Sequence, residues 1–497
     1  MNQSQIEFEI KLNFPAEKLP AMEALLVSKG ALKRQHLQAA YIDTNDFLLS
    51  QSGLAFRLRK EGRRWIQTLK ARGSNELERL EHNVVVPHDG AGIPIWDISL
   101  HEAHPAGQIL KRILDKKPSP VLQVLYETDI WRRSAKVRGR GAQLEYALDQ
   151  GVIRATSHVG SVHEIPVLEL EIELINGDPL VVLNHAQMIV NRFKATIDTR
   201  SKAQRGTQLA QGLIASQLEK SKPISLSGKT QGQQLATLIY SCLSQILSNA
   251  SEINLEIENY DEYVHQLRIG LRRLRILLKL LNLENIGLDS DDHHALLKIF
   301  SELGVYRDFH FLKIKLLPKL ILEGAPQFSL QQDLNLKHPA TLTKEDKFQK
   351  LLISLMKMAM YIERSDTIEE GFQLRVLSYI QSIHRSSRKI AKKFETVEDE
   401  KRHDLRKKLK QLRYLLEFFK DFYPSKKFKT YNKSLALVLD NLGEYNDLCI
   451  ALDQVQELLV NDPKIWFVLG WLKSEKIHIK ERSQVSLDIF FKDKFIL

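Results

Sequence analysis

Ile6-Glu7-Phe8-Glu9-Ile10-Lys11-Leu12 decides how the first half of the chain folds. Apolar and charged residues alternate strictly, the pattern of a β-strand, because successive side chains point to opposite faces. Glu7, Glu9 and Lys11 then share one face, with Ile6, Phe8, Ile10 and Leu12 on the other. Two carboxylates two residues apart on a strand can grip a hard cation through oxygen, and a lysine beside them suits a phosphate. The same spacing also fits a half-solvated strand with a chance acid pair, so neighbouring segments must decide.

Moving outward, similar alternation fills Leu54–Lys60, Trp65–Lys70, Arg79–Val86, Leu144–Asp149 and Val167–Ile175, with helical spacing near Ala16–Lys29 and Pro179–Arg192. Charge again gathers on one face: Arg57 with Arg59; Arg79 with Glu81 and Asn83; Glu145 with Asp149; Glu169 with Glu171 and Glu173. Lys70 ends another strand, and Arg132 and Lys202 add cations outside these runs. On an open sheet such charges make surface ion pairs of little worth. A closed barrel would turn them inward, where unpaired charge is costly. That interior makes sense when metal ions and a polyanion neutralise it.

A chain of 497 residues holds two or more domains. Its 43% hydrophobic and 27% charged content is that of a globular protein. A net charge of +11 favours a polyanionic partner without choosing among nucleic acid, membrane and polyphosphate. Residues 1–205 hold 28 Lys+Arg against 24 Asp+Glu, and the remainder 44 against 37, so the basic character lies in local clusters rather than a tail. Two cysteines, Cys242 and Cys449, exclude a disulfide framework or a thiolate metal site and fit a reducing compartment. Without a leader pattern or a run of 18 uncharged apolar residues, a cytoplasmic protein with no membrane partner is expected.

Beyond Lys220 the period changes. Lys220-Ser221-Lys222-Pro223, with Gly228 and Gly232, reads as a linker, and helical spacing follows in Leu235–Leu247, Val264–Leu281, Phe372–Phe394, Leu405–Phe419 and Leu435–Leu442. His265, Arg268, Arg272 and Arg275 stand at offsets 0, 3, 7 and 10, and His403, Arg406, Lys410 and Arg413 repeat them. On a helix these positions fall within an arc of about 80°, so each set is one basic stripe. Leu303-Gly304-x-x-Arg307-Asp308 and Leu442-Gly443-x-x-Asn446-Asp447 follow at matching distances, 403 − 265 = 138 and 447 − 308 = 139. The second half is an internal duplication that brings two basic faces together. Aromatics are not interleaved with the stripes, so a nucleic-acid partner is not expected.

The first half resembles the CYTH domain, the triphosphate tunnel metalloenzymes. Glu7-x-Glu9-x-Lys11 is followed in family order by Tyr41-Ile42-Asp43-Thr44, Gly53-Leu54-Ala55-Phe56-Arg57-Leu58-Arg59, Thr68-Leu69-Lys70, Arg79-Leu80-Glu81, Thr128-Asp129-Ile130-Trp131-Arg132, Ala147-Leu148-Asp149-Gln150-Gly151, Glu169-Leu170-Glu171-Ile172-Glu173 and Ser201-Lys202. The resemblance implies an eight-stranded antiparallel β tunnel barrel with flanking helices that binds a triphosphate and a divalent metal. Members hydrolyse inorganic tripolyphosphate or thiamine triphosphate, and some are adenylate cyclases. Carried over by position, Lys11, Arg57, Arg59, Lys70, Arg79, Arg132 and Lys202 would bind the triphosphate, and Glu7, Glu9 and Lys11 would be catalytic. Glu7, Glu9, Asp149, Glu169, Glu171 and Glu173 would supply ligands for Mg²⁺ or Mn²⁺, and which two of the last three ligate is left open. Glu81 is read as orienting a neighbouring arginine, Glu145 as structural, and His36, His82 and His88 as surface or loop residues.

The second half resembles the CHAD domain, on Val264-His265-Gln266-Leu267-Arg268 continuing into Arg272-Arg273-Leu274-Arg275. That resemblance implies binding of inorganic polyphosphate by His265, Arg268, Arg272, Arg275, His403, Arg406, Lys410 and Arg413. The expected architecture is α+β multidomain: a tunnel domain over 1–206, a linker over 207–230, and an all-α duplicated helical bundle over 231–497, its repeats near 231–325 and 365–497. The expected activity is metal-dependent hydrolysis of tripolyphosphate to pyrophosphate and phosphate. Thiamine triphosphatase, adenylate cyclase and a non-catalytic polyphosphate scaffold are the alternatives.

Overall fold

The alternating residues around Glu7 form β1 (Ile6–Asn13) in a computed structural model of the chain. The structure describes residues 6–73, 77–88, 90, 92–117, 120–139, 141–156, 161–326, 336–365, 371–458, 464–492 and 495. After β1 come α1 (Leu19–Lys29), β2 (Lys33–Thr44), α2 (Leu48–Gln51), β3 (Leu54–Glu61), β4 (Arg64–Arg72), β5 (Glu78–Val86) and α3 (Pro105–Leu114). The long strands β6 (Leu122–Gly139), β7 (Ala142–Thr156) and β8 (Val162–Gly177) follow, then α4 (Leu180–Phe193), the short β9 (Thr196–Ile197) and α5 (Lys202–Ala210).

All strand pairs are antiparallel, in the order β5-β4-β3-β2-β6-β7-β8-β1, and β1 returns to pair with β5. Eight strands therefore close into a barrel, with β9 added beside β1. The closure between β1 and β5 rests on three register pairs, Ile6↔Leu80, Glu7↔Arg79 and Phe8↔Glu78. The barrel is apolar outside and charged inside. Phe8, Ile10 and Leu12 are buried on the outer face of β1, where α4 lies against β1 and β8. Phe56 and Leu69 pack with Ala106, Leu110 and Leu114 of α3, a helix the alternation did not foretell. Gly151 allows β6 and β7 to approach: a Cβ there would stand 2.0 Å from the Asp129 carbonyl oxygen.

Helices account for the rest: α6 (Gln231–Ile253), α7 (Asp261–Leu281), α8 (Ser290–Phe311), α9 (Leu317–Leu322), α10 (Pro339–Lys344), α11 (Asp346–Arg364), α12 (Phe372–Ala391), α13 (Asp399–Phe418), α14 (Ser425–Leu458) and α15 (Ile465–Lys492). The chain divides into two compact units. One comprises Met1–Glu219, Leu243–Gln266 and Thr343–Met358; the other Lys220–Cys242, Leu267–Leu342 and Ala359–Leu497. The barrel unit thus includes helical chain from further along the sequence. Ile197 donates its amide to Gln349 at 2.9 Å, and Ser216 donates to Glu252. In the helical unit, Leu316 and Leu320 join a core with Tyr445, Val455, Val468 and Leu472. No helix among the described residues is long and apolar enough to cross a membrane.

Candidate functional site

A cavity of about 1310 Å³ lies in the barrel unit. All seven cations singled out from the sequence line it: Lys11, Arg57, Arg59, Lys70, Arg79, Arg132 and Lys202. Glu7, Glu9, Asp149, Glu171 and Glu173 line it too, whereas Glu169 is fully buried and is not among the lining residues. The strand register sorts these charges into groups with different electrostatic states.

In the first group, cations already hold the carboxylates. Lys202, at the start of α5 behind the N-cap Ser201, places Nζ 2.6 Å from Asp149, 2.5 Å from Glu169 and 2.9 Å from Glu171. Arg132 forks onto Asp149 at 2.7 and 2.6 Å and also reaches Glu171, while Arg205 binds the other oxygen of Glu169. Burial works against charge on Asp149 and Glu171, but Arg132 and Lys202 outweigh it and lower both pKa values. Asp149, Glu169 and Glu171 bring one oxygen each within 4.8 Å of one another, a set of hard donors that could hold a metal.

In the second group, Lys70 lies between Glu7 at 2.6 Å and Glu81 at 2.7 Å. Glu81 thus pairs with this lysine and accepts from Asn83, and the arginine expected from sequence, Arg57, acts on it through charge without a direct bond. Burial, only partly opposed by Lys70, pushes the Glu7 carboxyl up to about 8. Burial also opposes charge on Glu81, yet Lys70 and a hydrogen bond with Glu7 hold it well below the usual carboxylate range.

The third group makes no salt bridge among the described residues. Glu9 stands opposite Glu173 across β1 and β8, and Glu173 stands opposite Glu145 across β8 and β7. The side chains of Glu9, Glu145 and Glu173 make no hydrogen bond or ion pair among the described residues. Burial, reinforced by Glu9, raises the Glu173 carboxyl to about 7. Directly opposed like charges destabilise a sheet, and here the relief is only at a distance, from Lys136 opposite Glu145 on β6 and from Lys70, which acts on Glu173 without pairing with it. Glu145, read from sequence as structural, belongs to it.

Arginines face the open space from β3. Arg57 donates to the Tyr41 hydroxyl at 3.0 Å, and Tyr41 stacks on Tyr126 with ring centroids 4.7 Å apart. Arg59 pairs with Glu61; burial, then the nearby Arg57, lowers its pKa to about 10. Each keeps a buried Nε without a partner among the described residues, a demand that an oxyanion would meet. Arg79 donates Nη1 to the Glu78 carbonyl at 2.7 Å. The histidines set aside from sequence stay outside the cavity, but His36 and His82 stand on strands: His36 stacks on Trp131, and His82 packs with His101 and His104.

On the helices the two basic stripes also take shape. Arg268, Arg272 and Arg275 of α7 lie within 5.5 Å of the ring centroid of Phe300, while His265 is half-buried on the same helix. His403 of α13 bonds through Nδ1 to Asn446 on α14. Arg406 keeps a buried Nε without a partner among the described residues, and Arg413 is exposed. Lys410 is pushed down to about 6 by burial and then by Arg272 and Arg406, so cations from α7 and α13 bear on one place. Asp308 and Asp447 sit among them, their carboxyls raised by burial although Arg268 and Arg406 oppose the rise. Arg273 faces away from the stripe, fully buried, 3.2 Å from Ser241 and 3.4 Å from Glu417.

Among solved structures, a CHAD domain from the plant Ricinus communis is 23% identical, matches 54% of this chain and 96% of its own, and superposes with a TM-score of 0.44. A Bacillus halodurans protein given as a candidate adenylate cyclase is 21% identical over 40% of this chain and 97% of its own, TM-score 0.28. HpAC1 from Hippeastrum, described with a dominant triphosphatase activity, is 18% identical over 42% and 97%, TM-score 0.26. Two family models match the sequence itself, one for the CYTH domain at residues 5–206 and one for the CHAD domain at residues 237–456. The chain therefore carries a CYTH domain, the triphosphate tunnel metalloenzyme fold, followed by a CHAD domain.

Proposed function

We propose that the barrel is a divalent-metal-dependent inorganic triphosphatase that cleaves tripolyphosphate to pyrophosphate and phosphate, and that the helical domain binds inorganic polyphosphate. The observation that carries the first part is the division of the cavity wall. Arg57 and Arg59, each with an unspent Nε, share the wall with an acidic row, Glu9, Glu173 and Glu145, whose side chains make no ion pair among the described residues. A site for a polyanion alone has no use for that row. Glu9 and Glu173, with Glu7 beside them, would hold Mg²⁺ or Mn²⁺ through oxygen. A bound divalent ion would supply Lewis-acid stabilisation of phosphoryl oxygens.

The side chains supply the rest. Arg57, Arg59, Lys70 and Arg79 grip the phosphate chain, and the planar forks of the arginines suit bidentate contact. Water attacks the terminal phosphorus, the bridging P–O bond breaks, and pyrophosphate departs with the bonding pair. Arg132, Lys202 and Lys11 are pre-set by Asp149, Glu169 and Glu171 to meet the developing charge. Glu169 thus acts from behind the wall. Domain limits of 1–206 for the tunnel, 207–230 for the linker and 231–497 for the helices accompany this reading.

Phosphate release tests it, using tripolyphosphate, thiamine triphosphate, ATP and long-chain polyphosphate with and without divalent metal. Metal-dependent release from tripolyphosphate, lost in the Glu7→Gln, Glu9→Gln double variant, is expected. Full activity of that variant would sink the catalytic reading, and preference for another triphosphate would change the substrate.

A further inference from the structure

Three cations of the α7 stripe share a platform that the helical spacing does not reveal. The guanidinium carbons of Arg268, Arg272 and Arg275 lie 4.8, 5.5 and 4.3 Å from the ring centroid of Phe300 on α8. Arg268 also donates Nη1 to the main-chain oxygen of Phe300 at 2.8 Å. One turn further, Gly304 leaves room for it: a Cβ there would stand 2.9 Å from Arg268 Nη1. Phe300 is only half-buried, so it is more than a core filler.

Like charges packed this closely repel, and the negative face of an aromatic ring offsets that repulsion. Contact with a ring also uses no N–H donor. Apart from the Arg268 Nη1 given to the Phe300 carbonyl, the guanidinium edges are left for phosphate oxygens while the long side chains lose much of their rotamer freedom in advance.

The internal duplication supplies a built-in comparison. At the matching offsets, Lys410 stands for Arg272, Asn446 for Arg307 and Leu439 for Phe300. Leu439 is buried and has no ring to offer, and Gly443, the counterpart of Gly304, has nothing within 4 Å of where a Cβ would be. Without a platform, Lys410 is pushed down to about 6 by burial and neighbouring arginines. The second stripe therefore presents less charge near neutral pH.

We infer that Phe300 is a positioning residue that splays Arg268, Arg272 and Arg275 into a fan and makes the α7 stripe the principal seat for a phosphate polyanion. This rests on the polyphosphate reading of the helical domain. The test measures binding of long-chain polyphosphate to the full-length protein at moderate salt, comparing wild type with Phe300→Leu and Phe300→Tyr. The leucine variant, which gives the first repeat the chemistry of the second, is expected to bind about tenfold more weakly or worse. The tyrosine variant should stay within about threefold of wild type, because the ring is kept. Leucine binding like wild type would overturn the inference, and so would tyrosine losing as much as leucine, which would mark Phe300 as packing alone. Should the leucine variant not fold, Phe300→Met, which fills the volume without a ring, takes its place. Absence of binding by wild type is a separate result and would overturn the polyphosphate reading itself.

Discussion

Glu173 and Glu171 are two residues apart on one strand face, yet their charges are in opposite states. Glu171 is met by Lys202, Arg132 and Lys11, whereas Glu173 meets Glu9 and Glu145. The alternation in sequence told which side chains face inward. It could not tell which would find a counterion, because that depends on registers joining Glu9 to a strand more than 160 residues away. For the same reason Glu169, identical in parity, ends up behind the wall, and Glu145 ends up in it. The expected consequence is measurable. Glu173→Gln should weaken Mn²⁺ binding by calorimetry about tenfold or more, since one of few charged oxygen ligands is lost. Unchanged affinity would move the metal to Asp149, Glu169 and Glu171.

Among the elements, β2 and β6 showed only as motifs of the family resemblance, whereas β1, β3, β4, β5, β7 and β8 and about half of the helices were legible from period alone. Helix α3 was not, since its buried face answers to Phe56 and Leu69, which lie in strands earlier in the chain. It is also fastened by three histidines. His101 is fully buried, with Nδ1 2.9 Å from Nδ1 of His82, and His104 stacks on His82 at 4.6 Å while its Nδ1 accepts the Ala106 amide. Burial, then His82, lowers the His101 pKa from 6.5 to about 4, and burial lowers that of His104. The folded state binds fewer protons than the unfolded state over that range. Stability is therefore full above pH 6.5 and falls as pH drops toward 4, by on the order of 3 kcal/mol. Amide exchange in α3 should speed up across that window, and His101→Gln should blunt the change. A flat profile in the wild type would count against the histidine fastening.

At the scale of the whole molecule, a net charge of +11 pointed to a polyanion, and the basic residues resolve into a barrel interior and a helical stripe pair. The duplication was legible because offsets survive divergence. The platform under one stripe was not, since Phe300 carries no charge to draw notice. Both ligands proposed are chains of phosphate, so retention by the helical domain should weaken steeply with salt as counterions cease to be released. Reversing His265, Arg268, Arg272 and Arg275 to acidic residues should abolish long-chain polyphosphate retention in a pull-down. Persistence of retention would place the polyanion elsewhere.

Closure of the barrel has a mechanical side. Strands β6 and β7 share fourteen register pairs, but β1 and β5 share three among the described residues, and one of these is Glu7 with Arg79. A hoop fails at its thinnest rivet, and here the rivet includes Glu7 and Arg79, which line the cavity. Pulled or heated, the barrel would unroll along that line first, and a phosphate chain held by Arg79 while its cation sits beside Glu7 would clasp it shut. The same few residues proposed to receive the substrate are the ones it would lock.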